Sequence, residues 1–318
     1  MIEQIRIIIE QCNRKGKKME ENRTNINWYP GHMAKTKRQI IEDMKLIDVV
    51  IELLDSRIPI SSQNPNIAEI TKNKKKIIVL NKCDLSDDKQ NKLWVEYFKS
   101  KNIPAVLVDS NSGKGIDNFI KEVEKIMQVD LEQHAQKGRT GRKIRAMILG
   151  IPNVGKSSFI NRIAKRTSAG VGNKPGVTKQ KQWIRINDKI ELLDTPGVLW
   201  PKFESEEVAL NLCFTGTIKE EILDKIEIAY QLTKFLLENY RKSLCERYKL
   251  EESFVEEKLA QEQPENYNIY EIMLEIGKKR GCVMSGGKID EEKTARILLD
   301  EFKNGQLGKI TIEKPKRQ

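Results

Sequence analysis

A chain of 318 residues is long enough for two ordinary domains, and a composition of 38% hydrophobic and 32% charged residues suits a globular protein that folds in water. Its longest mostly apolar runs, Val49–Leu54 and Ile77–Leu80, are far too short to cross a bilayer, and no basic leader with a small-residue cleavage site is visible, so membrane-spanning and secreted classes are disfavoured and no membrane partner is expected. The net charge of +11 suits a polyanionic partner larger than one nucleotide, while five cysteines without C-x-x-C spacing suggest neither a disulfide framework nor a zinc module and fit a reducing cytoplasm.

In chain order, residues 1–27 form an N-terminal extension in which Met1–Cys12 reads as a short amphipathic helix. Trp28-Tyr29-Pro30-Gly31-His32 is turn-prone and opens a helical pattern over Met33–Leu46. From its own surroundings His32 reads as a packed turn residue. Ile47–Leu54 is a buried parallel strand that ends in Asp55, and Ser56–Asn66 is a loop. A second buried strand, Ile77–Leu80, delivers Asn81-Lys82-Cys83-Asp84 to the top of the sheet. These four residues form an N-K-x-D pattern. The Asp84 carboxylate can accept from both the N1–H and the 2-amino group of guanine, whereas adenine presents an acceptor at N1. Asn81 would hold the loop and the purine edge, and the Lys82 stem would cover a base face.

Asp88–Lys101 is amphipathic, and Pro104–Val108 is a third strand leading to Ser110-Asn111-Ser112, whose backbone N–H groups are placed to face the guanine O6. Gly115–Gln128 reads as a helix, and Asp130–Lys143 as a basic, glycine-containing connector. Then Ile144–Leu149 runs into Gly150-Ile151-Pro152-Asn153-Val154-Gly155-Lys156-Ser157. A G-x-x-x-x-G-K-S loop between a strand and a helix at Gly155–Ala164 aims successive N–H groups, including those of Asn153, Val154, Gly155 and Ser158, at a polyphosphate. Lys156 would sit on the β- and γ-phosphates, and the Ser157 hydroxyl on a Mg²⁺ bridging them.

Thr167–Thr178 has the small, polar composition of a switch, with Thr178 as a second Mg²⁺ ligand. Trp183–Ile186 and Lys189–Leu193 read as a hairpin about Asn187-Asp188. Its second strand ends in Asp194-Thr195-Pro196-Gly197, with Asp194 for Mg²⁺ and the Gly197 N–H for the γ-phosphate. Beyond it the pattern turns helical. Thr217 with Glu220 and Ser253 with Glu256 fit capping boxes.

These motifs resemble those of the translation-factor-related GTPases, but base recognition precedes the phosphate loop, so the domain reads as circularly permuted. Together with W-Y-P-G-H-M-A-K, D-S-R-I-P and Gly281-Cys282-Val283-Met284-Ser285-Gly286-Gly287, the order resembles the ribosome biogenesis GTPase A (YlqF-type) family. The resemblance implies an α/β fold. A circularly permuted P-loop GTPase domain with a doubly wound, mostly parallel sheet (28–215) would be followed by an all-α domain (216–318) that binds RNA or the ribosome. It also implies a cytoplasmic, monomeric enzyme that hydrolyses GTP to GDP on a late 50S precursor through 23S rRNA. The alternative is a GTPase acting on another RNA, in tRNA modification or small-subunit assembly. Val198 follows D-T-P-G where many GTPases carry glutamine, and the resemblance makes His32 the catalytic replacement. It further implies K⁺ at Asn153 as activator, with a low basal rate raised by K⁺ and by ribosomal particles.

Overall fold

Strand β1 (Val49–Asp55) is buried at every position because it is covered on both faces and flanked on both sides. In the computed structural model, which describes residues 38–138, 141–167, 183–195, 205–218, 224–261 and 265–315, β1 lies between β2 (Lys75–Asn81) and β4 (Ile144–Leu149), parallel to both. Its buried Glu52 is met by Lys76 Nζ at 2.9 Å. With β3 (Ala105–Leu107), β5 (Trp183–Arg185) and β6 (Ile190–Leu193) the sheet has the order β3-β2-β1-β4-β6-β5. Only the edge pair β5–β6 is antiparallel, as the hairpin pattern requires.

The two faces of the sheet follow the two-residue alternation of its strands. Val49, Ile51, Leu53, Ile77, Val79, Ala146 and Ile148 point to α3 (Ile116–Gln136) and α4 (Lys156–Thr167), where Phe119 and Phe159 meet edge to face at 5.1 Å. On the opposite face, Val50, Met147 and Leu149 pack on the helical turns at 38–46 and on α1 (Pro65–Ile70), while Leu54, Ile78 and Leu80 receive Trp94 and Phe98 of α2 (Asp88–Ser100). Helices thus cover both faces of a mostly parallel sheet.

The remainder is helical: α5 (Glu206–Phe214), α6 (Lys225–Asn239), α7 (Arg241–Tyr248), α8 (Glu252–Ala260), α9 (Glu265–Lys279) and α10 (Glu291–Lys303). Helix α6 is central and buries Ile228, Ala229, Leu232 and Leu236 against neighbours that include Leu298 and Leu299 of α10. Glu301 of α10, nearly buried, accepts from Arg247 Nε at 2.8 Å and from Arg280. After α10 the chain returns across the sheet domain. Ile310 N–H donates to Leu85 O at 3.0 Å and Ile312 N–H to Arg57 O at 2.8 Å, and the Tyr240 hydroxyl donates to Thr311 O at 3.0 Å.

Some local readings change. Helix α3 continues to Gln136 because Met127 is buried and Leu131 packs on the same core, so the first half of the expected Asp130–Lys143 connector is helix. A one-and-a-half-turn helix, α1, stands at the end of the expected loop, N-capped by Asn64, whose side chain accepts from Asn66 N–H. Ser253 lies inside α8, after the N-cap position Glu251, so the Ser253–Glu256 box does not form. Thr217 is buried behind α5, its N–H donating to Leu212 O at 2.8 Å, and Asp224 caps the next described helix, α6; Glu220 lies outside the described residues. Among the described residues no helix is long and apolar enough to cross a membrane. Cys83, Cys213, Cys245 and Cys282 are buried free thiols.

Candidate functional site

Because β1, β2 and β4 run parallel, their carboxyl ends bring Asp55, the Asn81–Asp84 loop and the Gly150–Ser157 loop to one edge of the sheet. This is where ligands enter open α/β sheets. A cleft of about 800 Å³ opens there, within the size range of small-molecule sites. Its walls include Asn81, Lys82 and Asp84 from one loop, Ser110 and Asn111 from another, and Asn153, Gly155, Lys156, Ser157 and Ser158 from the third. Ser112 and Val154 do not line it. The Ser112 hydroxyl accepts from Lys114 N–H at 3.2 Å, and the Val154 side chain is buried against Gly150. Three candidates, His32, Thr178 and Gly197, lie outside the described residues.

Asn81 fastens the three loops together. Its Nδ2 donates to the Val154 carbonyl at 2.9 Å, and its Oδ1 accepts from the Ser110 hydroxyl at 2.7 Å and the Ser110 N–H at 3.3 Å. Arg162 of α4 closes the ring from outside, donating from Nε to the Ser110 carbonyl at 3.1 Å. Gly155 has to be glycine here. Its φ is +97°, and an added Cβ would stand 2.3 Å from Asn81 Nδ2.

Lys82 crosses the cleft floor. It holds the left-handed conformation with φ of 58°, donates to the Asn153 carbonyl at 2.8 Å, and lies 3.0 Å from Asp55. Such a backbone costs a lysine energy, and the bonds at its far end hold it there. Burial alone would raise the Asp55 carboxyl. The Arg57 and Lys82 charges and the Arg57 hydrogen bonds outweigh it and hold Asp55 well below the usual carboxylate range. Arg57 makes a two-point contact to that carboxylate, from Nε at 2.9 Å and Nη2 at 2.8 Å. Asp84, at the cleft rim, shifts upward: burial dominates, its own backbone hydrogen bond opposes, and the Asp109 charge adds to the rise.

At the other end Lys156 donates to the Thr195 carbonyl, and the Thr195 hydroxyl donates to Ile148 O at 2.5 Å, so the exit of β6 is tied to β4 and to the phosphate loop. Burial lowers the Lys156 ammonium to about 8, against the pull of the nearby Asp194 charge. Asp194 is therefore within electrostatic reach of Lys156, and Ser157 follows it at the start of α4. A carboxylate and a hydroxyl are hard oxygen donors that fit Mg²⁺, which takes one or two protein oxygens beside phosphate and water. Among the described residues no three His, Cys, Asp or Glu side chains cluster as a self-sufficient metal cage. Asn153 takes φ of 60° and donates from Nδ2 to the Gly216 carbonyl at 2.7 Å.

Two lining residues come from a part of the chain whose own sequence carries no nucleotide motif, Lys303 and Asn304 at the end of α10. Arg57 places them. Its Nη1 donates to the carbonyls of Phe302 and Lys303 at 3.4 and 3.2 Å, and its guanidinium stacks 5.4 Å from the Phe302 ring. The local signal for Arg57 was a charged D-S-R directly after a buried strand. Lys303 had none, because what brings it to the cleft is tertiary packing.

A family model described as "50S ribosome-binding GTPase" matches residues 145–261, which begin at the phosphate-loop strand and leave the base loop upstream. Over 290 residues the chain is 46% identical to Ribosome biogenesis GTPase A of Bacillus cereus, spanning 91% of this chain and 94% of that protein. A protein of the same name from Thermotoga maritima is 30% identical over 290 residues, spanning 91% of this chain and 95% of that one. Among solved structures, the GNP-bound YlqF from T. maritima superposes with a TM-score of 0.59 at 26% identity, covering 89% of this chain and 100% of that one.

Proposed function

The chain belongs to the ribosome biogenesis GTPase A family, and from that membership we propose that it is a GTPase of ribosome biogenesis that binds a late 50S precursor through 23S rRNA and promotes its maturation. The single observation that best supports the nucleotide half of this reading is the Asn81–Val154 hydrogen bond, which makes the guanine-reading loop and the phosphate loop two sides of one cleft. In this reading the guanine lies on Lys82 with its N1–H and 2-amino group on Asp84, in the loop that Ser110, Asn111 and Ser112 complete. The phosphates lie along Asn153–Ser158 with Lys156 on the β- and γ-oxygens. Ser157, Asp194 and Thr178 would hold Mg²⁺, which would supply positive charge to the phosphate end of the cleft, and the Gly197 N–H would contact the last phosphate.

Hydrolysis requires an ordered water and compensation of the charge that develops on the transferred phosphoryl group. His32 orders the water in this reading, and K⁺ held at Asn153 contributes positive charge. The basal rate is low and rises with K⁺ and with ribosomal particles. The protein works as a cytoplasmic monomer, with residues 28–215 as the nucleotide domain and 216–318 as the RNA-facing one. The net charge of +11 supports a polyanionic partner. Sedimentation of the full chain through sucrose gradients, loaded with a non-hydrolysable GTP analogue or with GDP, tests the partner. Co-migration with the large-subunit precursor in the GTP-like state and its loss with GDP is the expected result. Equal association with 30S particles, or association independent of nucleotide, contradicts the proposal.

A further inference from the structure

The last turn of α10 touches both halves of the nucleotide cleft. Gly305 rests on the Leu85 side chain, one residue beyond Asp84, so closely that a Cβ at Gly305 would come within 2.6 Å of Leu85 Cδ2. The Lys303 stem lies over Gly216, whose carbonyl receives Asn153 of the phosphate loop. Lys303 and Asn304 therefore stand along the stretch between the base end at Asp84 and the β/γ-phosphate end at Lys156, and both line the cleft. The backbone at Lys303 is held by the Arg57 bonds to the Phe302 and Lys303 carbonyls, and the segment that follows is tied down by the Ile310 N–H bond to Leu85 O and by the Glu313 carboxylate accepting from Ser61 N–H at 2.9 Å. A half-buried cation on such a rigid mount loses less freedom on binding an anion than a surface lysine does. The Lys303 ammonium also lies 3.7 Å from Asp300 in the preceding turn.

We infer that Lys303 is a nucleotide-binding residue supplied by the helical domain, its ammonium meeting the ribose–α-phosphate segment that GDP and GTP share. Nucleotide occupancy and the seating of α10 are then one equilibrium, which gives the helical region a direct sense of whether the cleft is filled. The inference rests on the cleft being the guanine-nucleotide site.

Calorimetric titration of the full chain with GDP and with a non-hydrolysable GTP analogue tests it, for the wild type, Lys303→Gln and Lys303→Arg. The glutamine variant is expected to bind both nucleotides about tenfold more weakly, as suits the loss of one charge-assisted contact. The loss should be the same factor for each nucleotide, the arginine variant should recover most of it, and the melting temperature of the unliganded protein should stay where it was. Unchanged affinity, a loss confined to the GTP analogue, or a loss that arginine does not rescue and that comes with a lower melting temperature overturns the assignment. A wild type that binds neither nucleotide would instead overturn the reading of the cleft itself.

Discussion

Asn81 and Val154, 73 residues apart, are joined by a 2.9 Å hydrogen bond from the Asn81 amide to the Val154 carbonyl, and through it the base loop holds the phosphate loop in register. The bond is buried, so it is not shared with water. Asn81→Ala leaves the Val154 carbonyl and the Ser110 hydroxyl without this partner, at a cost of about 1–3 kcal/mol, and GDP affinity should fall roughly ten- to hundredfold. Gly155→Ala should do at least as much damage, since its methyl group would displace the same Asn81 amide and its φ of +97° disfavours any side chain. Titration calorimetry of both variants against the wild type is the check.

Arg57→Met should destabilise the whole chain. Asp55 is 2% exposed, and the substitution removes its two-point partner together with the donor to the Phe302 and Lys303 carbonyls. Breaking a buried ion pair from one side costs about 3–5 kcal/mol. Because Asp55 is held below its unfolded value, this stabilisation is fully present above pH ~4 and is lost as the pH falls below that value. Urea unfolding at neutral pH and again near pH 3.5 should therefore show a large gap between wild type and variant that narrows on acidification. A constant gap would mean that the Arg57 contacts to α10 carry the effect.

Nucleotide affinity should fall as the pH rises from 7 to 9. In the unliganded protein Lys156 is lowered to about 8 by burial, so its ammonium is partly neutral at pH 8 and mostly so at 9. Phosphate restores the charged form, so binding takes up a proton in this window, and affinity declines by up to about tenfold per pH unit once the pH passes that value. In the absence of nucleotide the sign is opposite. A lysine whose folded value is depressed makes the fold more stable as pH climbs from 8 toward its unfolded value, because the unfolded chain then binds more protons. GDP titrations across this range, repeated on Lys156→Met, check the assignment, and the variant should show a weaker and flatter profile.

What could be read in the sequence was local. Gly150–Ser157 and Asn81–Asp84 announce themselves because a buried strand followed by a turn of fixed chemistry is a contiguous pattern, and β1, β2 and β4 fall where the apolar runs place them. That these strands run parallel was legible from their continuous apolar runs and from what the family resemblance implied, whereas the strand order emerges only from the fold. The role of Arg57 depends on carbonyls 245 and 246 positions downstream, and no periodicity carries such a separation. The end of α3 was hidden for a different reason. Asp130-Leu131-Glu132-Gln133 looks polar, yet Leu131 alone keeps the helix on the core for two more turns. At Ser253 the capping pattern matched by composition, but the chain enters α8 two residues earlier, at Glu251, and that position decides the cap.

The central claim, that this cleft hydrolyses GTP in response to the large ribosomal subunit, is tested most directly by measuring GTP turnover in K⁺ buffer with and without purified 50S particles, for the wild type and His32→Ala. The account predicts a slow wild type that 50S particles accelerate strongly, and a variant that binds nucleotide normally but gains no acceleration. Wild-type turnover that is indifferent to 50S particles would contradict it.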